Sequence, residues 1–289
     1  MSPPVSIENI QTEQFISSMK NDSVDKQQHP DIAMIENNNE TYIRNSKKDR
    51  RDEFLTFDEP IFNQFFTKNI TKELYLEQIH IPRRLNYPAR FFRSDFLESL
   101  TKTYWWTPPA VWFPSAAAMF MLSTHDNYTK FIIFIAGIIF WSFLEYVFHR
   151  FVFHSEESLP DNKYFLVVHF FTHAVHHWLP FDGLRLAMPP ALFLPLATIT
   201  WFTFRLLLCT DTLLPLFSGI FVGFTCYDLF HYYLHHGAEK SFFAYVRNMR
   251  TYHSIHHYKQ PSRGYGVTSK LWDVIFDTSL LTGVNKNKN

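Results

Sequence analysis

Twelve of the fifteen histidines lie between His149 and His257, in four short groups. They are His149-Arg-Phe-Val-Phe-His154, His169-Phe-Phe-Thr-His173-Ala-Val-His176-His177, His231-Tyr-Tyr-Leu-His235-His236 and His253-Ser-Ile-His256-His257. Any fold this chain adopts must give that many imidazoles partners. Neutral imidazole is the commonest protein metal ligand, and on a helix residues three and four apart project to one side. Two groups contain H-x-x-H-H, so each is expected to offer three nitrogens to one small volume, and His231 with His235 adds an i, i+4 pair. A zinc finger needs closely spaced cysteines, whereas the chain has only Cys209 and Cys226. Eight to ten convergent imidazoles are too many for one ion and suit two.

Composition says where such a site sits. A formal net charge of zero argues against a nucleic-acid surface, and 32 phenylalanines are expected where apolar surface faces lipid or a lipid substrate. Four apolar runs, 104–123, 131–148, 190–208 and 213–230, each approach the roughly 20 residues needed to cross a bilayer. Trp105, Trp106 and Trp141 suit its interfaces, and Pro114 and Pro195 are tolerated in such helices. Short turns at 124–129 and 209–212 pair the runs into two hairpins that return to the starting side. Lys and Arg nearly avoid those turns, so the positive-inside bias puts the histidine groups and both termini in the cytosol. The expected fold is an all-α integral membrane protein: four transmembrane helices in two hairpins, with a cytosolic helical cap holding a histidine-rich dimetal site.

Residues 1–54 are polar and charge-mixed, and are expected to be a disordered tail. Residues 55–103 mix aromatics with Arg83, Arg84, Arg90 and Arg93, which suits an interfacial cytosolic segment or an amphipathic packing segment. Residues 104–283 form the expected membrane domain, and 284–289 a short tail. No cleavable signal peptide is expected from the opening residues, nor a disulfide framework from two cysteines beside apolar runs.

Ligand type alone leaves Zn, Cu, Fe and Ni open. No full set of Glu and Glu-x-x-His as in ferritin-like di-iron proteins occurs. Zinc would suit hydrolysis; iron suits oxygen activation, with a lipid C–H bond as the natural target of a site facing acyl chains. Among nearby residues, Glu145, Asp182, Tyr227, Asp228, His169 and His236 are candidates to support the ligands or meet substrate. Asp228, three residues before His231, is a candidate acceptor for a ring N–H. Glu145 is a second such candidate, or a salt bridge at the span end.

The stretches Glu145–His154, His169–Pro190, Tyr227–His236 and Tyr252–Lys259, with Gly264-Tyr-Gly-Val267 and Leu271-Trp-Asp273, resemble the fatty acid hydroxylase superfamily of membrane di-iron oxygenases. Their flanks are similar to the fatty acid 2-hydroxylase branch in particular, over about residues 90–283. The resemblance implies ten metal ligands: His149, His154, His173, His176, His177, His231, His235, His253, His256 and His257. It leaves His169 and His236 off the ions. It further implies two iron ions, whose places zinc can take in the purified protein, and hydroxylation with O2 at the carbon next to the carboxyl of a long or very long acyl chain destined for sphingolipids. Electrons would come from cytochrome b5 and its NAD(P)H reductase, at the endoplasmic reticulum membrane. A sterol desaturase or C4-methyl sterol oxidase of the same superfamily would share the groups. A metal transporter or non-catalytic metal-binding protein should instead place ligands near mid-bilayer, not at span ends. Three positions depart from the pattern. Ala174 and Asp277 stand where glycine is expected, and His29-Pro30-Asp31-Ile32 lacks the His-Pro-Gly-Gly of a fused cytochrome b5 domain, so no haem is expected in this chain.

Overall fold

Asp126 starts a 22-residue apolar helix because its carboxylate accepts from the amides of Tyr128 and Thr129, at 3.0 and 3.1 Å, which a helix start otherwise leaves unpaired. The computed structural model describes residues 50–238 and 241–281, and all regular structure among them is helical. The expectations for the polar tail up to residue 49, including His29-Pro30, and for the tail beyond 281 fall outside the described residues. One compact unit comprises Glu53–Leu280. Its helices are α1 (Ile61–Thr67), α2 (Lys72–Ile79), α3 (Asp95–Ser99), α4 (Thr107–Leu122) and α5 (Asn127–Phe148). There follow α6 (Lys163–His169), α7 (Val175–Trp178), α8 (Pro190–Arg205), α9 (Thr210–His236), α10 (Ala244–Tyr258) and α11 (Leu271–Ile275).

Among the described residues two helices are long and apolar enough to cross a membrane: α5 with its continuation, Asn127–Ser158, and α9. The other two expected spans, α4 and α8, have 16 residues each. At 1.5 Å per residue that is about 24 Å, short of a hydrocarbon core of about 30 Å. All four contribute to one cluster built on Trp112, Trp141, Phe193, Phe217, Phe221 and Phe224. Within it Phe193 stacks on Phe224 at 3.9 Å. The outward residues are also apolar: Met121, Leu206 and Leu207 are 79, 84 and 81% exposed. Such contiguous apolar exposure belongs against lipid or a partner, not water. Beyond α4, Thr124 N–H donates to Asp211 Oδ1 at 2.6 Å and Ser123 Oγ to the Asp211 carbonyl at 3.0 Å, so both short turns meet at one end of the bundle.

A cap lies at the other end of the chain's apolar runs. Phe54, Ile61, Phe65, Leu74, Tyr75 and Ile79 are buried against Leu166, Phe170 and Trp178 of the histidine-bearing segment. The core thus begins at Phe54, the last residue of the stretch expected to be tail. The 89–101 stretch is pinned to the cap by a buried ion pair: Arg185 donates to Glu98 Oε1 at 2.5 Å, to the Ala89 carbonyl at 2.6 Å and to Thr101 Oγ1, with its guanidinium over the Phe91 ring. Burial alone would raise the Glu98 carboxyl, but the Phe92 and Phe91 amides and Arg185 together hold it below its ordinary range.

α5 and α9 cross at Gly137 and Gly219, where a Cβ on Gly219 would overlap the Phe134 carbonyl oxygen and one on Gly137 the Leu216 carbonyl oxygen. An open helical glycine gains about 0.5–1 kcal/mol on replacement by alanine. Here the blocking atoms are backbone, so overpacking wins and Gly219→Ala should cost about 1–3 kcal/mol, read as a lower melting temperature in detergent.

Candidate metal centre

At the end of α5 the backbone widens into a π-helical turn over His149–Phe153, and His154 N–H donates to the His149 carbonyl at 3.1 Å. On a regular α-helix a five-residue spacing turns side chains about 140° apart. The wider turn brings the His149 and His154 rings to 5.0 Å. A second π-helical turn, Phe170–Ala174, carries His173 between α6 and α7. Such turns recur at functional sites because they re-aim side chains within a helix.

The histidines converge as two groups of five. One is His149, His154, His173, His177 and His256; the other is His176, His231, His235, His253 and His257. Within each group one ring nitrogen per residue lies within 4.8 Å of the others. Each H-x-x-H-H run is therefore divided between the two groups, where a single destination was expected. The i, i+4 members stay together, His173 with His177 and His253 with His257, while His176 and His256 cross to the other group. α7 and α10 thus feed both groups, and the His177 and His257 rings, one from each, stack at 4.0 Å.

The short nitrogen contacts reveal what the groups fit. His253 Nε2 lies 2.9 Å from His231 Nε2, 3.0 Å from His235 Nε2 and 2.9 Å from His257 Nε2. One ring nitrogen carries either one proton or one lone pair, so it cannot hydrogen-bond all three neighbours. An ion with bonds of about 2.0–2.1 Å at right angles places neighbouring nitrogens about 3 Å apart. In the first group the His177–His173 and His173–His154 Nε2 contacts are 3.0 and 3.3 Å. The Nε2 atoms of His149 and His256 are buried without a hydrogen-bond partner. Both groups can therefore hold a metal ion.

Protonation state agrees. Burial, reinforced by neighbouring imidazoles, pushes the pKa values of His173, His176, His177, His253, His256 and His257 well below the ordinary histidine range. They are neutral at pH 7, as ligation requires. Ring orientation is set from outside the groups. His149 Nδ1–H donates to the Tyr265 carbonyl at 2.5 Å, and His256 Nδ1–H to the Arg263 carbonyl at 2.8 Å, leaving both Nε2 lone pairs inward. The 263–268 loop that supplies these carbonyls is clamped by two carboxylates. Glu145 accepts from Val267 N, Thr268 N and Thr268 Oγ1 at 3.0, 2.9 and 2.7 Å; Asp273 accepts from Tyr265 N and Gly266 N at 2.9 and 2.8 Å.

The supporting candidates fall in different places. Glu145 acts through that loop, and among the described residues it makes no salt bridge. Asp228 accepts from Met188 N at 3.2 Å, orienting the approach to α8, and not from His231. Asp182 accepts from Ala89 N and Leu184 N, at 3.0 and 3.2 Å, and so ties the cap together. Tyr227 lies nearly parallel to the His231 ring at 5.8 Å and also packs on Trp141. His169 and His236 lie outside both groups. His169 accepts from Tyr75 Oη at 2.6 Å and donates to the Phe153 carbonyl at 2.7 Å; His236 packs on Tyr232. Asp277 adopts φ +52°, a left-handed backbone that explains why glycine suits that position and that aspartate tolerates. Ala174 is buried inside the second π-helical turn. Two residues escaped the sequence reading, Glu156 and His80. Glu156 stands only two positions after His154, the same kind of proximity that singled out Asp228.

Fold and site together define a helical protein with two candidate membrane spans and paired all-histidine clusters able to hold metal ions. The fatty acid hydroxylase family model matches residues 134–278, and the chain belongs to that family. It is 41% identical over 232 residues to the ceramide very long chain fatty acid hydroxylase scs7 of Schizosaccharomyces pombe, a match covering 79% of this chain and 66% of that protein, less than two thirds of its length. It is 37% identical to the dihydroceramide fatty acyl 2-hydroxylase FAH2 of Arabidopsis thaliana, covering 71% of this chain and 86% of that one. The solved structure of full-length scs7p, in which only the hydroxylase domain is visible, superposes with a TM-score of 0.76 at 34% identity, over 83% of this chain and 90% of that one.

Elemental analysis of the purified protein should find about two metal ions per chain, and His231→Ala, which strips one nitrogen from a single group, should lower that to about one.

Proposed function

We propose that this chain is a fatty acid 2-hydroxylase, inserting a hydroxyl at C2 of long or very long acyl chains destined for ceramide. The observation that carries the reading is the pair of five-imidazole groups placed where α5 and α9 end. The names of the relatives, hydroxylases of ceramide and of fatty acyl chains, support the same substrate class.

The ten grouped histidines are the ligands of two iron ions, and zinc can occupy the same positions in a purified sample. Bound iron supplies activation of O2. In the overall reaction one oxygen atom enters the C–H bond and the other leaves as water. Two electrons and two protons are consumed, the electrons arriving from cytochrome b5 and its NAD(P)H reductase as separate proteins. The chain's own residues hold the imidazoles neutral, fix their tautomers through the 263–268 loop, and keep water from the groups by burial. Tyr227, between Trp141 and His231, stands where the apolar bundle gives way to imidazole, which makes it the candidate to meet the acyl substrate.

In the membrane, α4 and α8 are the short partners of α5 and α9 in two hairpins, giving four spans. The shared bonding of Ser123 and Thr124 to Asp211 supports both turns lying on one side. The histidine groups then face the cytosol at the endoplasmic reticulum. The exposed aromatics Tyr104, Trp105 and Trp106 suit the interface beside the cap.

Expression in cells lacking their own 2-hydroxylase, followed by lipid mass spectrometry, should yield 2-hydroxyacyl sphingolipids, and His256→Ala should return them to background. Altered sterols with unchanged acyl chains would favour the sterol-modifying sisters. Metal-dependent transport in vesicles without lipid oxidation would favour a transporter.

A further inference from the structure

Glu156 is buried at the rim of the first histidine group, and among the described residues it is the carboxylate that meets one of the grouped imidazoles directly. Its Oε1 accepts from His154 Nδ1 at 3.3 Å and from His80 Nε2 at 3.2 Å, while Oε2 lies 3.4 Å from His169 Nε2. A carboxylate in this role only accepts, so His154 must carry its proton on Nδ1, and its Nε2 lone pair is left facing His173 Nε2 at 3.3 Å. His80 must likewise carry its proton on Nε2. Its ring lies edge-on to His177 at 5.1 Å and nearly parallel to His154 at 6.2 Å, so it packs against two members of the first group without belonging to it. His80 caps the end of α2, in the segment that precedes every apolar run.

Among the described residues no comparable carboxylate contact serves the second group. Three rings of the second group, His176, His253 and His257, have buried Nδ1 atoms with no hydrogen-bond partner; in the first group His177 Nδ1 is alike, but the Nδ1 atoms of His149, His154 and His256 each have one. Asp228, the carboxylate nearest the second group in sequence, is engaged by the Met188 amide.

We infer that Glu156 is a positioning residue for the first metal position alone, and that through His80 it makes occupancy of that position depend on docking of the α1–α2 cap. The two metal positions are then unequal: the first is held by oriented rings, and the second exchanges more readily. This rests on the proposal that the groups bind metal. Loss of a partner that orients a ligating ring typically lowers metal affinity about 10–100-fold.

The test is chelator titration of the cobalt-loaded full chain in detergent, with cobalt content and ligand-field absorption as readouts, and the melting temperature of the metal-free protein alongside. In the wild type the two ions should leave in separate steps, and the step that Glu156→Gln shifts should be the later one. That variant should weaken only this ion, by about 10–100-fold, change its absorption band, and leave the metal-free melting temperature unchanged. Glu156→Asp, which keeps the charged carboxylate that Gln replaces with a neutral amide, should restore much of the loss, and His80→Ala should weaken the same ion to a smaller degree. Two cobalt ions bound with wild-type affinity in Glu156→Gln would overturn the inference. So would equal weakening of both ions together with a lower metal-free melting temperature, the signature of a residue that only holds the fold. A wild type that binds no metal would instead remove the metal-binding reading on which the inference stands.

Discussion

Ten imidazoles crowded into one water-poor volume are the constraint on which the rest of this structure depends. Seven of their ring nitrogens are buried without a hydrogen-bond partner. Left that way, each would cost about 1–3 kcal/mol, and together they rival the roughly 5–15 kcal/mol that holds a whole domain folded. Hydrogen bonding among the rings cannot relieve them, because His253 Nε2 faces three other nitrogens at about 3 Å with one proton or one lone pair to share. A cation bound by each group answers this crowding, and it takes up the inward nitrogens of His149, His256 and His176 among the seven.

The surrounding fold is organised to present those nitrogens. α9 runs without a break from the apolar bundle into His231 and His235, so that two of the five members of the second group are fixed by the longest helix. α5 reaches the first group only by widening into a π-helical turn. α7 and α10 then lie across the ends of both and divide their histidines between the groups. The interleaving makes the two metal positions one structural unit, since displacing either short helix disturbs both. The cap residues Phe54, Phe65, Tyr75 and Phe170 close the outer side, and their burial keeps the imidazoles neutral.

Much of this was legible in the residues. H-x-x-H-H runs at the ends of apolar helices announce convergent ligands, because helix periodicity and membrane length are both local properties. The division of each run between two groups was not legible, since it depends on where α7 and α10 land relative to α5 and α9. The His149–His154 pairing was hidden for a different reason: a five-residue spacing joins two side chains only if the helix changes type. Carboxylates near histidines in sequence misled in one case and were missed in another. Asp228 is spent on Met188 N–H, and Glu145 works at one remove through backbone amides. Glu156, absent from the candidates, is the one among the described residues in contact with a grouped histidine. α4 and α8 proved shorter than their apolar runs suggested, α4 because Tyr104–Trp106 precede its first turn and α8 because it stops at Arg205.

The central claim is that two ions sit between these particular side chains. Anomalous X-ray scattering from crystals of the metal-loaded protein, recorded on both sides of the metal's absorption edge, tests it most directly. The account predicts two peaks, one enclosed by His149, His154, His173, His177 and His256, the other by His176, His231, His235, His253 and His257. A single peak, or peaks away from these rings, would contradict it.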